Sequence, residues 1–452
     1  MLKENQKQHT FIDLFSGCGG LSLGLTESGW VGRFAIEKAK DAFATFKQNF
    51  LSEGSQICFD WPEWLEKSPQ SIGDVLENHP AELRRMRGSV DVVAGGPPCQ
   101  GFSFSGRRKR LDPRNRLFRK YVDLVSIVQP RALILENVPG MLVAHGATAR
   151  GKKKKPGPTP KSHYDLLIQA LDDIGYVAVG KVLDPSRFGV PQRRPRLIVI
   201  GIRKSIAKRI LGGPLRVFDF IEIAGTEQLK RLGLGEKVSA SEAISDLEKG
   251  SRALVPCAEP GLRGTFYQPD YQGPTSTYQK LMHKGFSDES MDSIRLANHT
   301  DRVRERFALI LKLTLDESRR GFSLSDKVRG RLGLLKNRTV PMSPDLPAPT
   351  ITTLPDDVLH YKEPRILSVR ETARLQSFPD WFKFRGKYTT GGERRKKECP
   401  RYTQVGNAVP PLLARAIGVG VARALSSLEI NEICEPQAID KVEIEREVEA
   451  IS

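Results

Sequence analysis

Four stretches carry residue types that could do chemistry, and the first is GGPPCQGFSFSG (95–106), which leaves an apolar run through two glycines and two prolines. Prolines fix the backbone and glycines let a ligand approach it closely, so Cys99 stands on a rigid mount. A thiol there is either an incidental part of a tight turn or a nucleophile. The second stretch is LILENVPGM (133–141), where Glu136 is either an N-cap or a functional acid. The third is FGVPQRRPRLIVIG (188–201). Gln192, Arg194 and Arg196 alternate there, so both arginines should project to one side, as phosphate clamps or as groups that orient a carboxylate. The fourth is FIDLFSGCGGLSLGL (11–25), a glycine turn between a strand and a helix, where backbone N–H groups can meet a ligand. Glu37 follows about twenty residues on, where an acid can bind ribose hydroxyls. Asp60, after the short run QICF, could accept from an adenine amine. No G-x-x-x-x-G-K-[ST] loop is present, which favours an adenosine-bearing ligand without a prominent polyphosphate.

These residues need elements that bring them together. Candidate strands are TFIDLF (10–15), GRFAIE (32–37), VDVVAGG (90–96), ALILEN (132–137), YVAVGKVLD (176–184) and RLIVIGI (196–202). Helical patterns fall between them at 20–28, 38–50, 113–128 and 162–174. Strand–helix alternation predicts a doubly wound, parallel α/β sheet. Ligands of such sheets sit at the carboxyl ends of the strands, where Cys99, Glu136 and Glu37 all fall. From about 205 to 345 the rhythm is lost, which predicts a second, smaller mixed domain. Helical patterns return at SVRETARLQSF (368–378) and GNAVPPLLARAIGVGVARAL (406–425). The expected division is a catalytic domain over 1–204 completed by 386–428, a second domain and hinge over 205–385, and an acidic tail over 429–452.

Composition narrows the class. The chain has 452 residues and a net charge of +18; residues 429–452 alone carry −6, leaving +24 on the rest. Such a basic excess points to a polyanionic partner. The bases cluster in RRKRLDPRNRLFRK (107–120), in KKKK (152–155) within a Gly/Pro-rich insertion at 148–161, and in GGERRKKECPR (391–401). The six cysteines are scattered, with no C-x-x-C pair; this argues against a disulfide framework and a structural zinc site, and fits a cytoplasmic protein with no metal. No apolar run approaches the ~20 residues of a membrane span, and the first residues lack a signal-peptide core.

With these motifs in order, the chain resembles the cytosine carbon-5 DNA methyltransferases of bacterial restriction-modification systems. FIDLFSGCGG resembles the family's cofactor turn, AIEKAKDAFATFKQNF its ribose-binding segment, GGPPCQGFSFSG its nucleophile motif and LENV its glutamate motif. QRRPR fits its Q-x-R-x-R, RILSVRETARLQSFPDWF its penultimate motif and QVGNAVPP its last. The resemblance implies a Rossmann-like domain that uses S-adenosyl-L-methionine, with a target recognition domain in the 205–345 region. It implies that Cys99 attacks carbon 6 of cytosine, that Glu136, neutral or sharing a proton, donates at ring nitrogen 3, and that Arg194 and Arg196 orient Glu136 and hold the base. Phe15, Gly17, Cys18, Gly20, Glu37, Asp60, Pro98 and Asn407 would hold the cofactor; Asp60 departs from the family's pattern, because FDWPEW replaces its usual G-D-[IV]. Gln100, Ser103, Ser105, Arg107, Arg108 and Gln192 would contact double-stranded DNA. A monomer is expected, with no membrane, acting either with a cognate restriction endonuclease as functional partner or as an orphan methyltransferase.

Other readings keep part of this machinery. A tRNA cytosine methyltransferase would share the catalytic residues, but the large 205–345 region favours a sequence-reading DNA enzyme. A silent DNA-binding protein would not need Cys99, Glu136 and the arginines together. Amino-nitrogen methyltransferases carry a [DNS]-P-P-[YFW] element where this chain has GPPC.

Overall fold

The computed structural model describes residues 8–57, 59–97, 115–143, 161–210, 212–257, 259, 265–288, 290–316, 318–334, 336, 338–390, 394 and 398–434. Pro98, Cys99, Gln100, Ser103, Ser105, Arg107 and Arg108, most of the 148–161 insertion and the end of the acidic tail lie outside these residues.

Six strands form one sheet: β1 (Thr10–Leu14), β2 (Val31–Ile36), β3 (Val92–Gly95), β4 (Ala132–Asn137), β5 (Tyr176–Leu183) and β7 (Arg196–Arg203). A two-residue strand, β6 (Gln192–Arg193), pairs instead with Ala348–Pro349. The sheet order is β2-β1-β3-β4-β7-β5. The first four strands run parallel, and β7 runs antiparallel to both β4 and β5. The doubly wound α/β sheet is therefore present, but mixed rather than wholly parallel. A parallel crossover needs a long connection, usually a helix, and only the 3₁₀ turn Pro185–Phe188 and β6 lie between β5 and β7. QICF contributes one bridge, Phe59 to Gly32.

Alternation along the strands builds a core on each face of the sheet. Ala132 and Ile134 of β4 and Ile198, Ile200 and Ile202 of β7 pack with the helices Gly20–Glu27, Arg216–Leu232 and Pro411–Cys434. Leu133 and Leu135, with Leu197 and Val199, pack on the opposite face with Ile72–Asn78, Pro80–Arg85, Asn115–Val128 and His163–Asp173. A third cluster joins Cys18, Phe43 and Phe46 to Ile366, Phe378, Phe382 and Val405.

Two pieces assigned from sequence to the second domain thus pack into the sheet domain. Val217, Phe218 and Ile221 lie in the core of its first face, and residues 366–384 cover the glycine turn and the helix Lys40–Phe50. Helical periodicity shows that a face is buried but not against which partner. The stretch Arg401–Ser426 is, against the sequence expectation, long and apolar enough to cross a membrane; it is mostly buried inside the protein, as the core helix of the first face.

Candidate active site and cofactor cleft

The glycine turn leaves β1 with Phe15 at φ 60° and Gly17 at φ 57°. A left-handed phenylalanine costs on the order of 1 kcal/mol, and the surroundings hold it there: Ser16 N–H donates to the Ile36 carbonyl at 3.1 Å and Gly19 N–H to the Ser16 carbonyl at 2.9 Å. Glu37, at the end of β2, accepts from Gly17 N–H at 3.0 Å and from Ala39 N–H at 2.6 Å. It therefore ties the turn to the second strand. Burial raises its carboxyl above the usual range, and the N–H groups of Ala39 and Gly17 oppose that rise.

The far end of the chain closes over this turn. A Cβ on Gly20 would stand 2.3 Å from the Val409 carbonyl oxygen, and one on Gly24 2.3 Å from that of Pro411. Asn407 ends the short helix Arg401–Asn407 and is exposed. Gln404 locks this helix in place: its amide donates to the carbonyls of Arg385 and Cys399 and accepts from the Thr45 hydroxyl at 2.6 Å. Cys18 is buried, its thiol against the Gln404 carbonyl, so only its backbone could meet a ligand. Burial pushes that thiol well above its ordinary range.

Two buried polar atoms beside the turn, Asp13 Oδ1 and Ser16 Oγ, have no hydrogen-bond partner among the described residues. Sequence reasoning passed over Asp13, although a carboxylate inside FIDLF is itself a flag. Its other oxygen accepts from the Ser22 hydroxyl at 2.6 Å. Burial first, and the nearby Glu37 charge, push its pKa up to about 7, against the Ser22 bond. Because the folded pKa lies above the unfolded value of 3.8, its contribution to stability is complete below pH ~4 and is lost as pH rises to about 7. Wild-type urea midpoints should therefore fall between pH 5 and pH 8 by more than those of Asp13→Asn, by up to a few kcal/mol in free energy. Parallel pH profiles for the two proteins would refute this.

At the same sheet edge, Arg196 Nε meets Glu136 Oε1 at 2.9 Å, with both side chains nearly buried. Glu136 lies opposite Ile198 in the β4–β7 pair, so the strand register itself brings the two together. Its other oxygen faces Gly96, where an added Cβ would stand 3.2 Å away. The next residue, Asn137, is buried and its amide donates to the Pro97 carbonyl at 3.4 Å. The acid thus borders the segment that leads into Cys99.

Three expectations change. Arg194 is buried and donates to the carbonyls of Ile351 and Gly406, at 2.7 Å each, so it braces the roof of the cleft where Arg196 holds Glu136. Gln192 is fully buried; it donates to Gln376 Oε1 at 2.8 Å and accepts from Ile351 N–H at 2.8 Å, which removes it from any DNA-facing surface. Gln376 in turn donates to the Val405 carbonyl at 2.8 Å, so the arginine strand and the roof are joined twice. Asp60 is exposed and ion-paired with Arg33. Its N–H donates to the Gly32 carbonyl, level with the start of β2 and about 16 Å from Glu37 at ~3.3 Å per residue. A single-bridge strand could not be registered from sequence alone.

A mixed, doubly wound sheet with a glycine turn under a C-terminal roof and an acid at the tip of the next strand defines a Rossmann-like methyltransferase domain. The chain belongs to the C-5 cytosine-specific DNA methylases, whose family model matches residues 9–422. It is 32% identical to the type II methyltransferase M.DdeI of Desulfomicrobium norvegicum over 90% of this chain and 86% of that protein. It is 30% identical to the type II methyltransferase M.XorII of Xanthomonas oryzae over 92% and 84%. The fold matches the solved structure titled as a "putative DNA modification methyltransferase encoded within prophage" (E. coli) with a TM-score of 0.55, at 22% identity over 93% of this chain and 100% of that one.

Proposed function

We propose that the protein methylates carbon 5 of cytosine within a specific double-stranded DNA sequence, using S-adenosyl-L-methionine and a transient bond from Cys99 to carbon 6 of a flipped-out base. The observation that carries this reading is the Glu136–Arg196 pair, set beside Gly96 at the head of the cysteine motif. It stands at the same sheet edge as the turn held by Glu37.

The cleft fits the cofactor. A Cβ on Gly17 would meet nothing within 4 Å, and the orphaned Asp13 and Ser16 atoms lie beside it. Phe15 and the backbone of Gly17, Cys18 and Gly20 would border the adenosyl and methionine parts, Glu37 would take the ribose, and Pro98 and Asn407 would close the pocket. Bound there, the cofactor supplies a methyl group on a positively charged sulfur.

Cytosine carbon 5 is a poor nucleophile. Cys99, as the thiolate, adds to carbon 6 and drives electrons toward ring nitrogen 3, where Glu136 delivers a proton. Arg196 holds the Glu136 carboxylate in position through Oε1. After carbon 5 takes the methyl group, its proton passes to a base, the C–H electron pair restores the 5,6 double bond, Cys99 leaves as the thiolate, and nitrogen 3 returns its proton to Glu136. The base must first leave the duplex, at a cost of a few kcal/mol. Gln100, Ser103, Ser105, Arg107 and Arg108 would contact the DNA, and residues beyond the helix Arg216–Leu232, to about 345, would read the sequence.

The type II relatives favour a modification role; we place the protein in the cytoplasm as a monomer, acting beside an endonuclease of the same specificity or as an orphan methyltransferase. Bisulfite sequencing of DNA from a host expressing the chain tests the activity and finds the site at once. Protected cytosines should share one sequence context; complete conversion everywhere would reject the reading.

A further inference from the structure

Burial of Gln192 raises the question of which residue in that stretch faces DNA. Alternation along the strand gives the answer: Gln192 and Arg194 point inward, and Arg193 between them is partly exposed. Arg193 is three residues from Arg196 and so lies within about 10 Å of it at ~3.3 Å per residue, beyond the carboxyl end of β4. That is the side on which such sheets bind their ligands.

Arg193 has been given a support. Its guanidinium sits 5.6 Å over the ring of Phe322, which is 51% exposed, and donates to the Gly321 carbonyl at 3.1 Å. The segment bearing Phe322 is hooked onto the chain next to the cleft: Gly321 N–H donates to the Pro341 carbonyl at 2.8 Å and Leu324 N–H to that of Thr339 at 3.3 Å. Arg193 itself is fixed from the other side by Thr350, whose hydroxyl donates to its carbonyl at 2.8 Å. Among the described residues no carboxylate pairs with Arg193, nor with the exposed Arg319, Lys327 and Arg331 of the same segment. The ring and the Gly321 carbonyl hold the guanidinium plane fixed, and with no acid partner its charge is left open to an anion.

We infer that Arg193, backed by Phe322, is a contact for a backbone phosphate of the DNA strand that carries the target cytosine. A planar guanidinium suits phosphate oxygens, and the ring behind it fixes its plane and shields one face from water. Arg319, Lys327 and Arg331 extend the positive surface along the duplex. The inference rests on the DNA reading above.

The test is a salt series of dissociation constants for duplex DNA containing the site found by bisulfite mapping, with S-adenosylhomocysteine present. Arg193→Ala should weaken binding roughly ten-fold at ~0.1 M salt and lower the slope of log affinity against log salt by about one. Arg193→Lys should keep the slope and lose several-fold in affinity, and Phe322→Leu should lose about three-fold with the slope unchanged. A methylphosphonate that removes one phosphate charge beside the cytosine should lower the wild-type slope by about one and leave Arg193→Ala unaffected, which identifies the contact even if the variants are less stable. An Arg193→Ala protein that melts as wild type and keeps the wild-type slope and affinity overturns the inference alone. A wild-type protein that neither binds nor methylates DNA overturns the function as well.

Discussion

Cys99→Ser abolishes methyl transfer, by more than ~10³-fold, and leaves binding of duplex DNA and of S-adenosylhomocysteine within a few-fold of wild type. The reason is the acidity of the group. A thiol yields a useful fraction of thiolate near neutral pH, whereas a hydroxyl needs a base to activate it, and the acid at this edge is already held by Arg196. DNA with 5-fluorocytosine at the target should trap the wild-type protein covalently, because no carbon-5 proton can leave and Cys99 cannot be expelled. The adduct should resist denaturation and run as a shifted band. Serine variants should give none. A serine variant that still turns over would refute the covalent route while leaving family membership untouched.

Loss of Arg374 should be the most damaging change far from the chemistry. This side chain is fully buried; it donates to Asp380 at 2.6 and 2.7 Å, to Asp246 at 3.1 Å twice, and to the Ala243 carbonyl at 3.1 Å. Burial penalises both carboxylates; Asp380 is nevertheless held below its usual range by Arg374, while Asp246 stays above it. Arg374→Met removes the cation shared by two buried acids, leaving, among the described residues, Asp380 only His283 and Asp246 only the Tyr271 hydroxyl, a loss of about 3–5 kcal/mol in urea denaturation. The loss should shrink as pH falls toward 5, since the stranded acids take up protons in the folded state before they do so in the unfolded one. Adding Asp246→Asn should recover part of it. A variant with wild-type stability at neutral pH would show that the network contributes nothing net.

Both predictions start from positions of very different visibility. The glycine turn and the shared sheet edge of Glu37 and Glu136 were legible because local rules suffice, since strand ends gather at one edge; the pairing of Glu136 with Arg196 came from the family resemblance. What lies against a buried side is not local. Gln192 finds its partners 159 to 184 residues away, and Arg374 reaches 128 residues back to Asp246. Gln192, expected at the DNA surface, is an internal brace because those distant segments cover it. Asp60 failed for a related reason, since one bridge and a flanking arginine decide its place. Arg193 shows the converse, with its neighbours more conspicuous in the motif and itself the exposed member.

The roof over the glycine turn has a consequence for how the protein comes into being. Gly20 and Gly24 are synthesised early, yet the carbonyls of Val409 and Pro411 that complete the cleft emerge almost 400 residues later. At ~5–20 residues per second, a nascent chain spends tens of seconds or more with its sheet exposed and its cofactor pocket open at the top. A chain released before residue 400 carries Cys99, Glu136 and Glu37 and still lacks the roof that packs on the glycine turn. A product truncated before residue 400 should therefore fail to bind S-adenosylhomocysteine in a pull-down that retains the full chain, since the carbonyls of Val409 and Pro411 that pack on Gly20 and Gly24 are missing.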